Sequence, residues 1–286
     1  MPSPERTRAA LLLTNRLVPL GATPLAAREF WQLVDRVDPA ELLHADVAAI
    51  ADRAGVDLDE ATRLRTLLDA STAMSFEQER LADGGVSLVS ALDDAFPTRL
   101  REHLGAGCPP FLLTAGPAEW LQRPGLGIVG APDTSEAVLV VARRAAELAA
   151  ERSWPVVCGL APGVDHAAMN GAHDAGGAAV GVAAEGISMA SRSAEIRRRV
   201  HAGELCLVSP YAPSARSSAA AAAGRDTIVH ALSQVTFVVA AGAGATDALA
   251  RRVVPVAVWT GEGADDANHA LVRRGAIPIT DPAQLF

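Results

Sequence analysis

Val156-Val157-Cys158-Gly159-Leu160-Ala161-Pro162-Gly163-Val164-Asp165-His166-Ala167-Ala168 is the stretch from which the chain is read. Its first residues form a short apolar strand, its middle a tight Gly/Pro turn, and its end the start of a helix. Gly159 and Gly163 let the backbone turn sharply and leave room for a ligand to approach it. Asp165 falls in the first helical turn, where free N–H groups and the helix dipole favour an acid or a bound phosphate. A routine strand–helix turn explains the same residues, so the surrounding chain decides between the two.

Downstream of Gly125 the pattern alternates regularly. Strands are expected at Leu126–Val129, Pro155–Cys158, Ala179–Ala183, Leu205–Val208, Val235–Ala240, Pro255–Trp259 and Ile277–Ile279. They are apolar runs without alternation, as in strands covered on both faces. Helices are expected at Ser135–Arg152, Val164–Asp174, Ser193–His201, Asp226–Leu232, Thr246–Arg251 and Ala267–Arg273. This order implies an α/β fold, a Rossmann-like doubly wound and mostly parallel sheet over residues 124–286. Ligands in such folds sit at the carboxyl ends of the strands, here Gly130–Ser135, Gly159–Asp165, Glu185–Arg192, Ser209–Arg225 and Ala241–Thr246.

Upstream, residues 1–83 read as a small all-α domain of short helices behind frayed residues 1–8. Its helices are expected at Ala9–Leu17, Pro24–Val37 with Thr23 as cap, Pro39–Leu43, Asp46–Ala54, Asp59–Ala73 and Ser75–Asp83. Residues 84–123 read as an extended connector, with a strand at Val86–Val89 followed by Phe96-Pro97 and Pro109-Pro110.

Composition narrows the chemistry. The chain has 286 residues, half of them hydrophobic, with one Tyr, six Phe and four Trp, so the core rests on Ala, Val and Leu. All 25 basic residues are Arg. The net charge of −8 excludes a surface that is basic throughout, but not a local basic patch. Three widely spaced cysteines, with no C-x-x-C, fit free thiols in a reducing cytoplasm. No metal-ligand spacing is visible, and no apolar run approaches a membrane span. The loop after the first strand of the alternating half, Gly130–Ser135, holds no G-x-G-x-x-G, no acid closes the second strand, and the chain has no Lys for a P-loop, so no cofactor is expected. His166 and His173 could pair, but a helix-start histidine is ordinarily solvated or a cap. No nucleophile elbow or carboxylate pair stands out, so no catalytic residue is assigned.

Four loops carry the candidate anion-binding residues. Gly130 ends the first strand of the alternating half, and Thr134 or Ser135 could cap the next helix and meet a phosphate. Gly159, Gly163 and Asp165 form the opening turn. Between Ser191 and Arg225, six arginines, among them Arg197, Arg198 and Arg225, face only Glu195, Glu204 and Asp226. A solvated helix face beside a flexible Ala/Ser loop explains this excess as well as an anion site does. Gly242, Gly244 and Thr246 follow the most hydrophobic strand and resemble a phosphate cradle or a tight turn.

These loops, in this order, resemble the DprA/Smf family of DNA-processing proteins. Cys158–Ala168 resembles the family's S-G-x-A-x-G-I-D-x-x-A. Gly224-Arg225-Asp226-Thr227-Ile228-Val229-His230-Ala231-Leu232-Ser233 is similar to R-N-R-I-I-x-x-L-S. Asn268-His269-Ala270-Leu271-Val272-Arg273-Arg274-Gly275-Ala276 is similar to N-x-L-I-x-x-G-A. Ala95–Leu100 and Pro109–Gly116 resemble the connector motifs Y-P-x-x-L and P-x-x-L-x-x-x-G. The resemblance implies a SAM-like helical module before the Rossmann-like domain. It also implies a non-enzymatic, cytoplasmic homodimer that binds single-stranded DNA during DNA uptake and recombination. A phosphate pocket at the strand ends and a RecA-type recombinase as partner, with no membrane association, complete the expectation.

The chain departs from the pattern at Pro132, Met169, Asp226 and Thr227. It loses two cations and gains an acid, which weakens a phosphate site. An alternative is a member that senses a nucleotide or serves as an interaction scaffold. Hydrolysis of the phosphoribohydrolase type is disfavoured, because Leu249 stands where that chemistry places a glutamate.

Overall fold

Asp38, Asp46 and Asp57 each accept a backbone N–H at the start of a helical segment, so aspartate caps punctuate the N-terminal region. The computed structural model describes residues 4–14, 16–18 and 21–286. The chain forms two compact units, one holding residues up to Thr114 with Pro210–Pro213, the other Ala115–Ser209 with Ser214–Phe286.

The first unit contains α1 (Pro4–Thr14), α2 (Ala27–Val34), α3 (Val47–Ala54), α4 (Leu58–Leu68), α5 (Ser71–Asp83), β1 (Val86–Ser90) and α6 (Thr98–Leu104). β2 (Phe111–Ala115) ends at its boundary. Leu11, Leu12 and Leu13 are fully buried beside Phe30, Leu42 and Leu64 in this unit's core. Arg101 lies over the Trp31 ring at 3.4 Å, and the Trp31 indole N–H donates to the Cys108 carbonyl at 2.8 Å. That pairing satisfies the polar edge of a buried aromatic while using its face for a cation.

Several expectations need correction here. The residues expected to fray are helical from Pro4. The first helix stops at Thr14 rather than Leu17, and residue 15 lies outside the described residues. α2 starts at Ala27, because the Leu25 N–H is held by the Leu13 carbonyl and the Glu29 carboxylate accepts the Ala26 N–H. A helix expected from Asp59 to Ala73 breaks after Leu68 and restarts at Ser71. The connector is not extended throughout: α6 follows Pro97 directly. Proline restricts the residue before it and leaves the chain after it free to coil into helix.

The second unit contains β3 (Leu126–Gly130), α7 (Glu136–Glu151), β4 (Val156–Cys158), α8 (Val164–Asp174), β5 (Ala179–Val182), α9 (Ile187–Ala190) and α10 (Ala194–His201). β6 (Leu205–Ser209), α11 (Ala219–Leu232), β7 (Val235–Ala240), α12 (Ala243–Arg251), β8 (Val256–Trp259), α13 (Asp266–Arg273) and β9 (Ile277–Ile279) follow. Its strands lie in the order β6-β5-β4-β3-β7-β8-β9, and every recorded pairing among them is parallel. The Rossmann-like α/β reading is therefore the observed fold. All seven expected strands are present, with ends shifted by at most a residue or so. Two expected helices start three or more residues earlier than the sequence suggested. α11 begins at Ala219, where Ser218 accepts the Ala221 N–H, so the Ala/Ser segment is half helix. α12 begins at Ala243.

Successive strands run outward from β3 to β6 on one side and from β7 to β9 on the other. The winding direction therefore reverses between β3 and β7. In an open parallel sheet that reversal leaves a crevice beyond the strand ends, because the loops on either side depart in opposite directions.

Candidate functional site

The crevice at the reversal is a cavity of about 260 Å³. Gly130 and Ala131 after β3, Gly159 after β4, and Ala240 and Gly242 after β7 form its walls, with Arg225 and Asp226 reaching in from α11. Two of these positions have no room for a side chain. A Cβ at Gly130 would stand 2.5 Å from the Val164 side chain, and one at Gly159 would overlap the Arg225 guanidinium. Gly163 has φ +86°, which favours glycine, and its Cα hydrogen side packs against the Pro132 carbonyl.

Asp165 and Arg225 are the charged centre. Asp165 is buried at 6% exposure, its Oδ2 accepts the Ala161 N–H at 3.1 Å, and it lies 3.6 Å from Arg225 Nη1. Burial pushes its carboxyl up to about 6, against the pull of Arg225 and the Ala161 N–H. Asp226 pushes the same way, and His166 opposes it weakly. Arg225 also pairs with Asp226, Nε to Oδ1 at 2.6 Å. One guanidinium thus answers two carboxylates. With both ionised, the three groups together carry a net −1, so an incoming phosphate meets little positive charge.

The structure brings together Gly130, Gly159, Asp165, Arg225 and Gly242 around this cavity. It separates the other candidates. Ser135 occupies the cap position of α7 without a side-chain cap bond and lies beside Gly263. Gly163 sits behind the wall against Pro132. Arg197 donates to the Ser191 and Arg192 carbonyls, Arg198 lies 4.0 Å from Glu204, and buried Arg199 holds Glu195 and Asn170. This arginine run fastens α10 to its own surroundings. Gly244 and Thr246 lie within α12 rather than in the turn before it, and Thr246 is exposed.

The family departures take clear places. Pro132 lines the cavity with its carbonyl against Gly163. Met169 is 2% exposed in the core face of α8, and Thr227 bonds back to the Ala223 carbonyl. Tyr211, the chain's one tyrosine, belongs to the first unit. Cys108, Cys158 and Cys206 are free and buried, and burial raises the pKa of all three thiols, that of Cys108 and Cys206 to about 12, so they stay protonated. Among the described residues no group of three His, Cys, Asp or Glu could hold a metal. No described helix is long and apolar enough to cross a membrane.

Sequence reasoning grouped Asn268 with a motif but gave it no task. Its side chain is 1% exposed and makes three bonds: Oδ1 accepts the Ala241 N–H at 2.7 Å, while Nδ2 donates to the Val239 and Trp259 carbonyls at 2.9 and 2.8 Å. It staples α13 across the ends of β7 and β8, at the rim of the cavity. His230 was likewise quoted only within a motif; it is buried, lines the cavity and lies 3.1 Å from the Thr236 hydroxyl through Nδ1.

Comparison with known proteins agrees with this fold. Residues 87–286 match the family described as DNA recombination-mediator protein A. The solved structure of DNA processing protein A from Streptococcus pneumoniae aligns with a TM-score of 0.70 at 20% identity, covering 92% of this chain and 98% of that one. The Helicobacter pylori DNA processing protein A, solved for its single-stranded DNA binding mode, aligns at 0.57 and 19% identity over 70% and 93% of the two chains. At such identities these likenesses speak for the fold. No curated protein matches the chain.

Proposed function

The chain belongs to the DNA recombination-mediator protein A family, and from that premise we propose that it binds single-stranded DNA without catalysing a reaction on it. The observation that carries the reading is Arg225, set against Gly159 in the crevice where the sheet reverses direction. A strand's backbone would enter over Gly130, Gly159 and Gly242, whose bare Cα positions permit close approach. Arg225 would meet a phosphate there. Contacts of this kind read charge rather than sequence.

The finer reading follows the family: a cytoplasmic homodimer that helps a RecA-type recombinase onto DNA during uptake and recombination. It would comprise a helical module over residues 1–83, a connector over 84–123 and the DNA-binding domain over 124–286.

A fluorescence titration with labelled oligo-dT at about 50 and about 200 mM salt tests the core of this reading. Binding that weakens steeply with salt is expected. No binding at the lower salt would overturn it. The second carboxylate on Arg225 favours one competing reading, a member that retains the fold as an interaction scaffold. That protein would bind recombinase without DNA, and mixing the two alone separates the readings.

A further inference from the structure

The strand-end cavity has a neighbour. A second hollow of about 180 Å³ lies over the carboxyl ends of β4 and β5, lined by Leu160, Ala161, Ala183, Ala184, Glu185 and Arg225. Arg225 lines both spaces, so its guanidinium is the wall they share. The second hollow has what the first lacks, a leucine floor and a glutamate of its own.

The floor follows from a glycine in β5. A Cβ at Gly181 would stand 2.6 Å from a Leu160 methyl, so the bare Cα lets the leucine lie down on the sheet. Ala183 and Ala184 continue that surface with small side chains. Glu185 closes the hollow, and the backbone around it is held twice. Its carbonyl accepts the hydroxyl of fully buried Ser209 at 2.7 Å, and the Gly186 N–H donates to the Ala215 carbonyl at 2.9 Å. Half-buried Glu185 therefore presents its carboxylate from a fixed base. Among the described residues that carboxylate has neither a hydrogen bond nor an ion pair.

Charge decides what such a hollow admits. A cationic guest meets the Arg225 guanidinium on one wall. A phosphate meets Glu185 on the other, in addition to Asp165 and Asp226, which already hold the arginine. A neutral, flat guest with N–H donors on one edge satisfies both walls, with its body on Leu160 and the alanines. Pockets for drug-sized ligands begin at about 300 Å³, so this smaller one suits a guest the size of a single base. Guanine matches the carboxylate best. Its N1–H and N2 amino group point the same way and meet two carboxylate oxygens as a fork. Adenine and cytosine set one amino group beside a ring-nitrogen acceptor, and thymine sets one N–H between two carbonyls; those acceptors repel a carboxylate.

We propose that Glu185 makes this hollow a base subsite with a preference for guanine, beside a backbone phosphate on the other face of Arg225. The proposal rests on the single-stranded DNA reading above and deepens it. Phosphate contacts stay blind to sequence, and Glu185 adds a preference at one position along the strand.

The test compares labelled oligo-dT with the same oligomer carrying one central dG, titrated against the full chain and against Glu185→Gln. The dG oligomer is expected to bind at least about fivefold tighter than oligo-dT, the low end of what a bidentate base contact discriminates. Glu185→Gln should bring the two to within about twofold, because its amide nitrogen turns a donor toward the base. Replacing the dG by 1-methyl-dG, which lacks the N1 proton, should abolish the gain in the unaltered chain. Replacing it by deoxyinosine, which lacks the N2 amino group, should remove part of it. These base analogues carry the test by themselves if Glu185→Gln does not fold. Equal binding of the dG oligomer and oligo-dT by the unaltered chain would overturn the subsite and leave the DNA-binding reading intact. No binding of either would overturn both. A dG preference that survives Glu185→Gln, or that 1-methyl-dG retains, would overturn the role given to the carboxylate. Tighter binding of oligo-rU than of oligo-dU, lost in Glu185→Gln and without any dG preference, would assign the carboxylate to a sugar hydroxyl and also overturn the proposal.

Discussion

Arg225 Nε stands 2.6 Å from Asp226 Oδ1, an ion pair between chain neighbours on one helix. Asp165 lies on the other side of the same guanidinium. The arginine of the strand-end cavity is therefore already partnered before any phosphate arrives, and binding there means competing with carboxylates.

Removing one competitor should strengthen binding. Asp226→Asn keeps the shape and hydrogen-bonding capacity of the side chain and deletes its charge. Oligo-dT affinity is expected to rise by about three- to tenfold, the worth of about 1 kcal/mol of released charge-assisted contact. Arg225→Ala should weaken it. Paired titrations at one salt concentration read both; an Asp226→Asn variant that binds no tighter would show that Arg225 does not meet the DNA.

Asp165 should make the fold more stable in mild acid than at neutral pH. Its folded-state carboxyl titrates near 6 against an ordinary 3.8. Between those values the folded protein holds a proton that the unfolded chain has released, so the group's contribution is favourable at low pH. It is lost as pH rises through about 6. The difference is of order 3 kcal/mol at full ionisation. The groups acting on it are Arg225, Asp226, His166 and the Ala161 N–H. Asp165→Asn should flatten this segment of the stability–pH curve, measured by urea unfolding between pH 4 and 7.5. For the same reason oligo-dT should bind more tightly near pH 5 than near pH 7.5.

Asn268→Ala would strand the Ala241 N–H and deprive the Val239 and Trp259 carbonyls of a donor. Unmet buried groups of this kind cost about 1–3 kcal/mol each, so a loss of about 3 kcal/mol is expected in urea unfolding. Asn268→Asp should be comparably harmful, since a carboxylate cannot donate to the two carbonyls.

Where α7 and α8 cross, a Cβ on Gly171 would stand 2.4 Å from the Arg143 carbonyl oxygen. That neighbour is backbone and yields little. Gly171→Ala should therefore destabilise the fold by about 2 kcal/mol through overpacking, visible as a lowered Tm. Gly176→Ala offers a contrast: no atom stands near its missing Cβ, but its φ of +72° strains any side chain.

The sheet was legible because buried parallel strands advertise themselves. Runs such as Val156-Val157-Cys158 and Val235–Ala240 are apolar on both faces and end in turn residues. Helix starts were harder to read. Ser218 caps α11 within an Ala/Ser tract whose composition alone suggests flexibility. α6 follows a proline that restrains itself and the residue before it but not the chain after it. At the cavity, Gly159 and Arg225 were both named from sequence, but the run Arg197–Arg199 was grouped with them through proximity along the chain. Its hydrogen bonds hold it to α8 and α10 surroundings instead.

The three bonds of Asn268 have a consequence beyond stability. They hold the Ala241 amide and the ends of β7 and β8 in place without help from any bound molecule. That rim of the crevice is shaped before an encounter, so a guest surrenders its own freedom on arrival without also freezing this segment of the host. Association over the rim should then resemble docking onto a finished surface, limited by how often the strand collides in a usable orientation.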